Sequence, residues 1–214
     1  MKETYNIEYF NWQKRIGKFG GQANIFKFKD HINPVDTVLD FGCGGGYLLN
    51  NLVCDRKLGV EINPVAREQA IQNGVECYST LDSVPPESIN VVISNHALEH
   101  VANPLEALEK MRSKILKGGL LILVVPSESN ITSFDPNDVN QHLYTWNPQI
   151  LGNLAVQAGF FVEKIVPIFH KWPPNYMRIQ ENLGWGGFHF LSRIYGRLHR
   201  FSYQIKLVAV NLIP

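Results

Sequence analysis

Apolar residues along this chain fall into short continuous runs separated by segments with helical spacing, the pattern of a parallel sheet with helices on both faces. Thr37–Phe41 (TVLDF) predicts a first strand, and Gly42–Gly46 a loop leading into a helix through Leu48, Leu49 and Leu52. Lys57–Ile62 predicts a second strand, Val75–Tyr78 a short third and Ile89–Ser94 a fourth. Three Asn-Pro pairs mark helix starts, because asparagine caps orphan N–H groups and proline suits the first helical position. Asn63-Pro64 opens a helix ending at Gly74, and Asn147-Pro148 opens one ending at Gly159. Asn103-Pro104 opens another, with Glu106 at capping-box spacing, Leu105, Leu108, Met111 and Ile115 as its apolar stripe, and Gly118-Gly119 as its stop. Leu120–Val125 is apolar throughout, as suits a central strand buried on both faces. Phe160–Phe169 and Gln204–Ile213 predict the last two strands. No repeat, low-complexity tract or linker interrupts the series, so a single domain over residues 1–214 is expected.

The loop after the first strand carries four glycines in five positions, an entropic cost justified only where something must approach the backbone. A P-loop is excluded, since no Gly-Lys-Ser/Thr follows. The dinucleotide fingerprint G-x-G-x-x-G is broken because Tyr47 stands three residues after Gly44. The pattern is instead Gly42-x-Gly44-x-Gly46 with Asp40 just ahead of it, and a phosphate site has little use for that carboxylate. Glu61 ends the predicted second strand, about twenty residues on, where a nucleotide's ribose hydroxyls are read. Together these residues point to an adenosine-containing ligand with no phosphate charge near the loop. The plainer alternative is a tight strand-to-helix turn with a surface glutamate.

The blocks VLDFGCGGGYLL, LGVEINPVAREQA, INVVISNHALEHVANPLEALEKM and LKGGLLILVVPSE, in that order, resemble the class I S-adenosylmethionine-dependent methyltransferases. The resemblance is to the small bacterial branch that acts on quinones, sugars and natural products, and HLYTWNPQILGNLAVQAGF extends it over nearly the whole chain. It implies a Rossmann-like three-layer α/β sandwich whose seven-stranded sheet is mostly parallel, with the last strand antiparallel. It implies S-adenosylmethionine as cofactor, with S-adenosylhomocysteine as product. Gly42, Gly44 and Gly46 would lie against the methionyl part, Asp40 would organise the loop, Glu61 would bind the ribose hydroxyls and Ile62 would lie against adenine. An adenine contact is expected around Thr80–Asp82, with Asp82 as the acidic member. Asn95 and His96 would line the cofactor and acceptor pocket. Asn90 departs from the family's usual Phe-Asp, which is expected to alter a turn contact.

Methyl transfer leaves the protein mainly the work of positioning, with a base needed only where the acceptor must lose a proton. His96 and His142 are the candidate bases, each following a strand expected to open onto the crevice. His100 is read as a helix-start residue holding nearby backbone, and Glu99 as a packing or capping carboxylate. No His/Cys/Asp cluster shows metal-ligand spacing in the sequence, so no metal is expected. The three cysteines, Cys43, Cys54 and Cys77, are too few for a disulfide framework, and with no signal-like N-terminus a cytoplasmic protein is expected. Two rivals remain open: a nicotinamide-dependent oxidoreductase, and an S-adenosylmethionine-binding partner or regulatory protein without catalysis.

Both ends are aromatic. Residues 1–30, with Tyr5, Tyr9, Phe10, Trp12 and Phe19, are expected to form a helical cap over the cofactor. Residues 170–203, with Trp172, Tyr176, Trp185, Phe188, Phe190 and Tyr195, are expected to form a lid or acceptor wall. Read as a helix, the latter puts Phe188, Leu191, Tyr195 and Leu198 on one face and Arg193, Arg197 and Arg200 towards another. That segment reads as a packed helix, an acceptor lid, or a basic amphipathic surface for a membrane or an anionic acceptor. A formal net charge of +1 disfavours nucleic acid as a partner. The expected partner is a small acceptor with an aromatic or lipid-like body, methylated at oxygen or carbon. The sequence carries no signal for the oligomeric state.

Overall fold

The computed structural model describes residues 16–128 and 134–212. A helix over residues 16–23 (α1) and two short 3-10 turns precede β1 (Thr37–Phe41). There follow α2 (Tyr47–Asn50), β2 (Arg56–Val60), α3 (Pro64–Gln72), β3 (Glu76–Tyr78), β4 (Ile89–Asn95) and α4 (Pro104–Arg112). The chain continues through β5 (Ile115–Ser127), α5 (Pro148–Gln157), β6 (Phe161–Ile168), α6 (Tyr176–Leu198) and β7 (Tyr203–Val210). The strands form one seven-stranded sheet in the order β3-β2-β1-β4-β5-β7-β6. β1 to β5 pair in parallel, and β7 runs antiparallel between β5 and β6. This is the sandwich that the sequence resemblance implied.

The sheet is buried on both sides because its central strands are apolar at successive positions. In β5, Leu121, Leu123 and Val125 pack with Leu108, Met111 and Leu151 of α4 and α5. The alternate residues Ile122 and Val124 pack with Phe28, Leu49 and Ala70 on the other face. All three Asn-Pro starts are capped as expected. Asn63 accepts from Val65 and Ala66, Asn103 from Glu106, and Asn147 from Ile150. Asn90 accepts from the Thr37 N–H at 2.9 Å, a turn contact at the sheet end away from the strands' carboxyl termini.

Three boundaries differ from the sequence pattern. α4 ends at Arg112, and Ile115 is the first residue of β5, pairing with Ile89. Gly118-Gly119 lies within that strand, where Gly118 donates to Asn211 O at 2.7 Å and a Cβ on Gly119 would sit 2.7 Å from Asn90 O. β2 stops at Val60, so Glu61 stands just beyond the sheet, its N–H bonded to Tyr78 O. In α6 the buried residues are Phe188, Ser192 and Gly196, while Leu198 is 74% exposed. Small residues set that rotation: Gly196 lies so close to the Phe169–His170 backbone that a Cβ would come within 2.7 Å of it. α6 also bends at Gly184, whose φ of 65° breaks the helix. Among the described residues no helix is long and apolar enough to cross a membrane.

Candidate functional site

In an open parallel sheet the crevice lies beyond the carboxyl ends of the strands, where neighbouring strands cease to be consecutive in sequence. Here that point falls between β1 and β4, and the glycine loop sits on it. Gly42, Gly44 and Gly46 all have positive φ, from 53° to 78°, which glycine adopts without strain. Their surroundings differ. A Cβ on Gly42 would fall 2.4 Å from Ala97 Cβ and one on Gly46 2.8 Å from Val75, whereas a Cβ on Gly44 would meet nothing within 4 Å. Gly44 therefore presents its backbone to open space, a cavity of about 370 Å³ whose lining includes Asp40, Gly42, Gly44, Asn95, His96 and Trp172.

Two carboxylates shape this loop. Glu61 accepts the Gly44 N–H at 2.9 Å with one oxygen and the Asn63 N–H at 2.8 Å with the other. Each oxygen keeps a lone pair for a further donor. Asp40 is 3% exposed, and among the described residues its Oδ1 has no hydrogen-bond partner. Burial, helped by the charge of Glu61, pushes its pKa up to about 7. A buried acceptor at the edge of a cavity suits a cationic or N–H donor from a ligand. Cys43 fills the space left by Gly59, whose Cβ would sit 2.5 Å from its sulfur; the Cys77 thiol 3.6 Å away and burial raise its pKa.

A second cavity of about 330 Å³ adjoins the first, sharing Asn24, His96 and Trp172 with it and adding Lys27, Pro126, His170 and Tyr203. His96 stands where the two meet. Its φ of 58° is unusual for a residue with a side chain, and its N–H is bonded to Val124 O at 2.9 Å. Lys27 is 2% exposed and donates to Asn95 Oδ1 at 2.9 Å. Burial lowers its pKa to about 7, against an opposing pull from the Glu99 carboxylate. Trp172 belongs to an aromatic cluster in which Phe19 of α1 lies 5.1 Å from it, 4.8 Å from Tyr176 and 5.2 Å from Phe188. α1 reaches the cavity through small residues: a Cβ on Gly21 would fall 2.5 Å from the Tyr47 carbonyl oxygen.

The structure brings Asp40, Gly42, Gly44, Asn95 and His96 together around one space and places Glu61 behind the loop, while Gly46 does not line that space and packs against Val75 and Ala70. Ile62 is 68% exposed beside it. Asp82 lies in the 3-10 turn Leu81–Ser83, its carboxylate 3.1 Å from the Lys110 ammonium on α4. His142 lines neither cavity; its Nδ1 lies 2.8 Å from Glu128 and its Nε2 4.0 Å from Glu99. Glu99, read from the sequence as a packing residue, is fully buried, with His96 Nδ1 at 3.2 Å. Trp172, from the aromatic segment expected to wall the acceptor, lines both cavities, whereas Lys27 and Asn24 carried no sequence signal beyond the spacing of Gly17, Gly20 and Gly21, which marks a helix face made for close approach. Tyr5, Tyr9, Phe10 and Trp12 lie outside the described residues.

A family model described as a methyltransferase domain matches residues 13–165. An uncharacterised 37.1 kDa protein in a Streptomyces fradiae transposon is 29% identical over 159 residues, covering 63% of this chain and 46% of that protein. The ubiquinone biosynthesis O-methyltransferase of Serratia proteamaculans is 26% identical over 161 residues, covering 70% and 59%. The chain thus spans about half the length of these curated relatives. Among solved structures, the complex between the Haloferax volcanii Trm112 methyltransferase activator and a methyltransferase matches with a TM-score of 0.66 at 19% identity, covering 95% of this chain and 97% of that one.

Proposed function

The chain belongs to the methyltransferase-domain family, and from that premise we propose that it transfers a methyl group from S-adenosylmethionine to a small acceptor held in the second cavity. The observation that carries this reading is the pairing of an open glycine cradle at Gly44 with the unfilled buried acceptor Asp40 Oδ1. When bound, the cofactor supplies an electrophilic methyl on a sulfonium, whose displacement by an acceptor lone pair leaves S-adenosylhomocysteine.

Asp40 would receive the cofactor's ammonium, a cation that holds a buried carboxylate in its charged form. Gly44 would lie under the methionyl chain, and the spare lone pairs of Glu61 would take the ribose hydroxyls. Ile62 would cover adenine from its exposed position. Asp82 lines neither cavity and shares its carboxylate with Lys110, so adenine would lie against the turn that carries it, not against the carboxylate itself. Asn95, anchored by Lys27, would fix the boundary between donor and acceptor. His96 is the group best placed to hold or take an acceptor proton, because it faces both cavities. His142 would act behind it through the Glu99 side.

Trp172, Tyr203 and Pro126 favour an acceptor with an aromatic or lipid-like body, methylated at oxygen or carbon. Phe19 and Trp172 would close over the bound pair and keep out water. The outer face of α6 extends the lipid reading. Phe190, Ile194 and Leu198 are 61%, 40% and 74% exposed at helical spacing, with Arg193 and Arg197 beside them. That face suits an anionic lipid surface.

Calorimetry with S-adenosylhomocysteine and transfer of labelled methyl into a metabolite extract test the proposal together. Binding with labelling supports it. Binding without labelling leaves a cofactor-binding protein, and no binding overturns the reading at its base.

A further inference from the structure

We propose that Glu99, His100 and His142 bind a divalent first-row transition-metal ion of the zinc class behind His96, the residue shared by the two cavities. One potential ligand atom from each residue lies within 4.8 Å of the others, a cluster that side-chain rotation can close around one ion. Two imidazoles and one carboxylate are the donors that zinc and its neighbours prefer, whereas magnesium and calcium favour oxygen.

The second observation is the state of the donors. Glu99 is fully buried, and among the described residues neither carboxylate oxygen receives a properly directed hydrogen bond. His96 Nδ1 approaches to 3.2 Å and His142 Nε2 to 4.0 Å without satisfying them. His100 Nδ1 is likewise buried without a partner. Three polar atoms on two neighbouring side chains, Glu99 and His100, therefore share one deficit. A bare buried carboxylate is costly, and a cation placed among these groups removes the cost for both side chains.

The surroundings are already those of an oriented ligand set. His142 turns Nε2 towards Glu99 while Nδ1 bonds to Glu128 Oε1 at 2.8 Å, the outer carboxylate that fixes a ligating imidazole's tautomer. The N–H groups of Leu143 and Tyr144 bond to Glu99 O at 2.9 and 3.3 Å, clamping the segment that carries His142 to the turn that carries Glu99 and His100. Three protein ligands leave a coordination position open, as in catalytic sites. Because Glu99 lies beside His96, an ion in this cluster would sit behind the residue shared by both cavities. Its positive charge would favour loss of a proton from an acceptor hydroxyl held at His96. This role towards the acceptor rests on the methyl-transfer reading; binding of the ion does not.

The test uses untagged full-length protein stripped with a chelator, without cofactor. It is titrated with Co²⁺ followed by visible absorption, and with Zn²⁺ followed by calorimetry. The expected result is one ion per chain, a four- or five-coordinate Co²⁺ spectrum without a thiolate charge-transfer band, and a rise in Tm with Zn²⁺. His142→Ala and His100→Ala should each weaken binding about tenfold or more. His142→Gln, which retains a polar partner for Glu128, replaces the first variant if that one does not fold. Absence of binding, a thiolate band, or affinity unchanged in these variants overturns the proposal. S-adenosylhomocysteine binding is measured on the same samples, so loss of the donor reading and loss of the metal reading give different results.

Discussion

Glu61 reaches across the glycine loop to accept the Gly44 N–H at 2.9 Å, tying the residue just beyond the second strand to the floor of the glycine-loop cavity. One carboxylate thus sets the loop's shape and, in the proposed complex, reads the ribose. Glu61→Ala removes both, and charged hydrogen bonds contribute about 1.5–3 kcal/mol each. S-adenosylhomocysteine affinity measured by calorimetry should fall about 10- to 100-fold, while Glu61→Gln loses less because it keeps the Gly44 bond.

Gly42 and Gly44 separate folding from binding. A Cβ at position 42 collides with Ala97, so Gly42→Ala should destabilise the protein by about 2 kcal/mol or more, seen as a lower midpoint in urea. Gly44 faces open space, and Gly44→Ala carries only the strain of its φ of 53°, about 1 kcal/mol. Its main effect should be on cofactor affinity. Equal stability losses in the two variants would refute the assignment of open space at Gly44 to a ligand.

His96 tests the chemical step. His96→Asn preserves the backbone, because asparagine tolerates the left-handed conformation found there. A residue that takes the acceptor proton contributes about 10²–10⁴ in rate. Turnover of an acceptor found in the extract assay should fall within that range, with S-adenosylhomocysteine affinity nearly unchanged. A fall in affinity alone would make His96 part of the donor cradle and no more.

His170 gives the protein an acid limit. Its Nε2 lies 3.0 Å from His189 Nδ1, and burial, with the nearby Lys27 charge, lowers its pKa to about 3. The unfolded chain binds this proton near the ordinary histidine pKa of about 6.5 while the folded chain does not, so stability is lost as pH falls below that value and is untouched above it. Between about pH 6.5 and pH 5 this one group should account for about 2 kcal/mol. Urea midpoints measured against pH should fall less steeply in His170→Gln, whatever that variant's stability at neutral pH.

The exposed α6 face predicts vesicle binding. Full-length protein should co-sediment with phosphatidylserine-containing vesicles, weakly with phosphatidylcholine alone, and less as salt rises. Replacing Phe190, Ile194 and Leu198 by serine should abolish this with only a small fall in Tm, because Phe190 and Leu198 are mostly exposed and only Ile194, 40% exposed, gives up appreciable packing. Binding that survives the triple replacement would move the contact elsewhere.

The sequence by itself determined the donor side. Residues 37–49 are contiguous, and a strand, a glycine turn and a helix start obey local rules of apolar periodicity and backbone freedom. Glu61 was found because its strand follows directly. The seven-stranded, mostly parallel sheet with an antiparallel last strand also followed from the resemblance, but the strand order and the strand ends did not: Ile115 left its expected helix because pairing with Ile89 outweighs helical spacing. For the proposed acceptor side the sequence marked His96 and the aromatic segment 170–203, but which residues meet there, Lys27 among them, was decided only by tertiary structure. Lys27, His96, Trp172 and Tyr203 lie far apart in sequence and meet because β7 enters between β5 and β6 and α6 folds back over α1. Glu99 shows the same limit. One carboxylate in a run of helix-like residues looks ordinary, and its unmet hydrogen bonds become visible only when the fold buries it fully and brings His142 beside it from a distant loop.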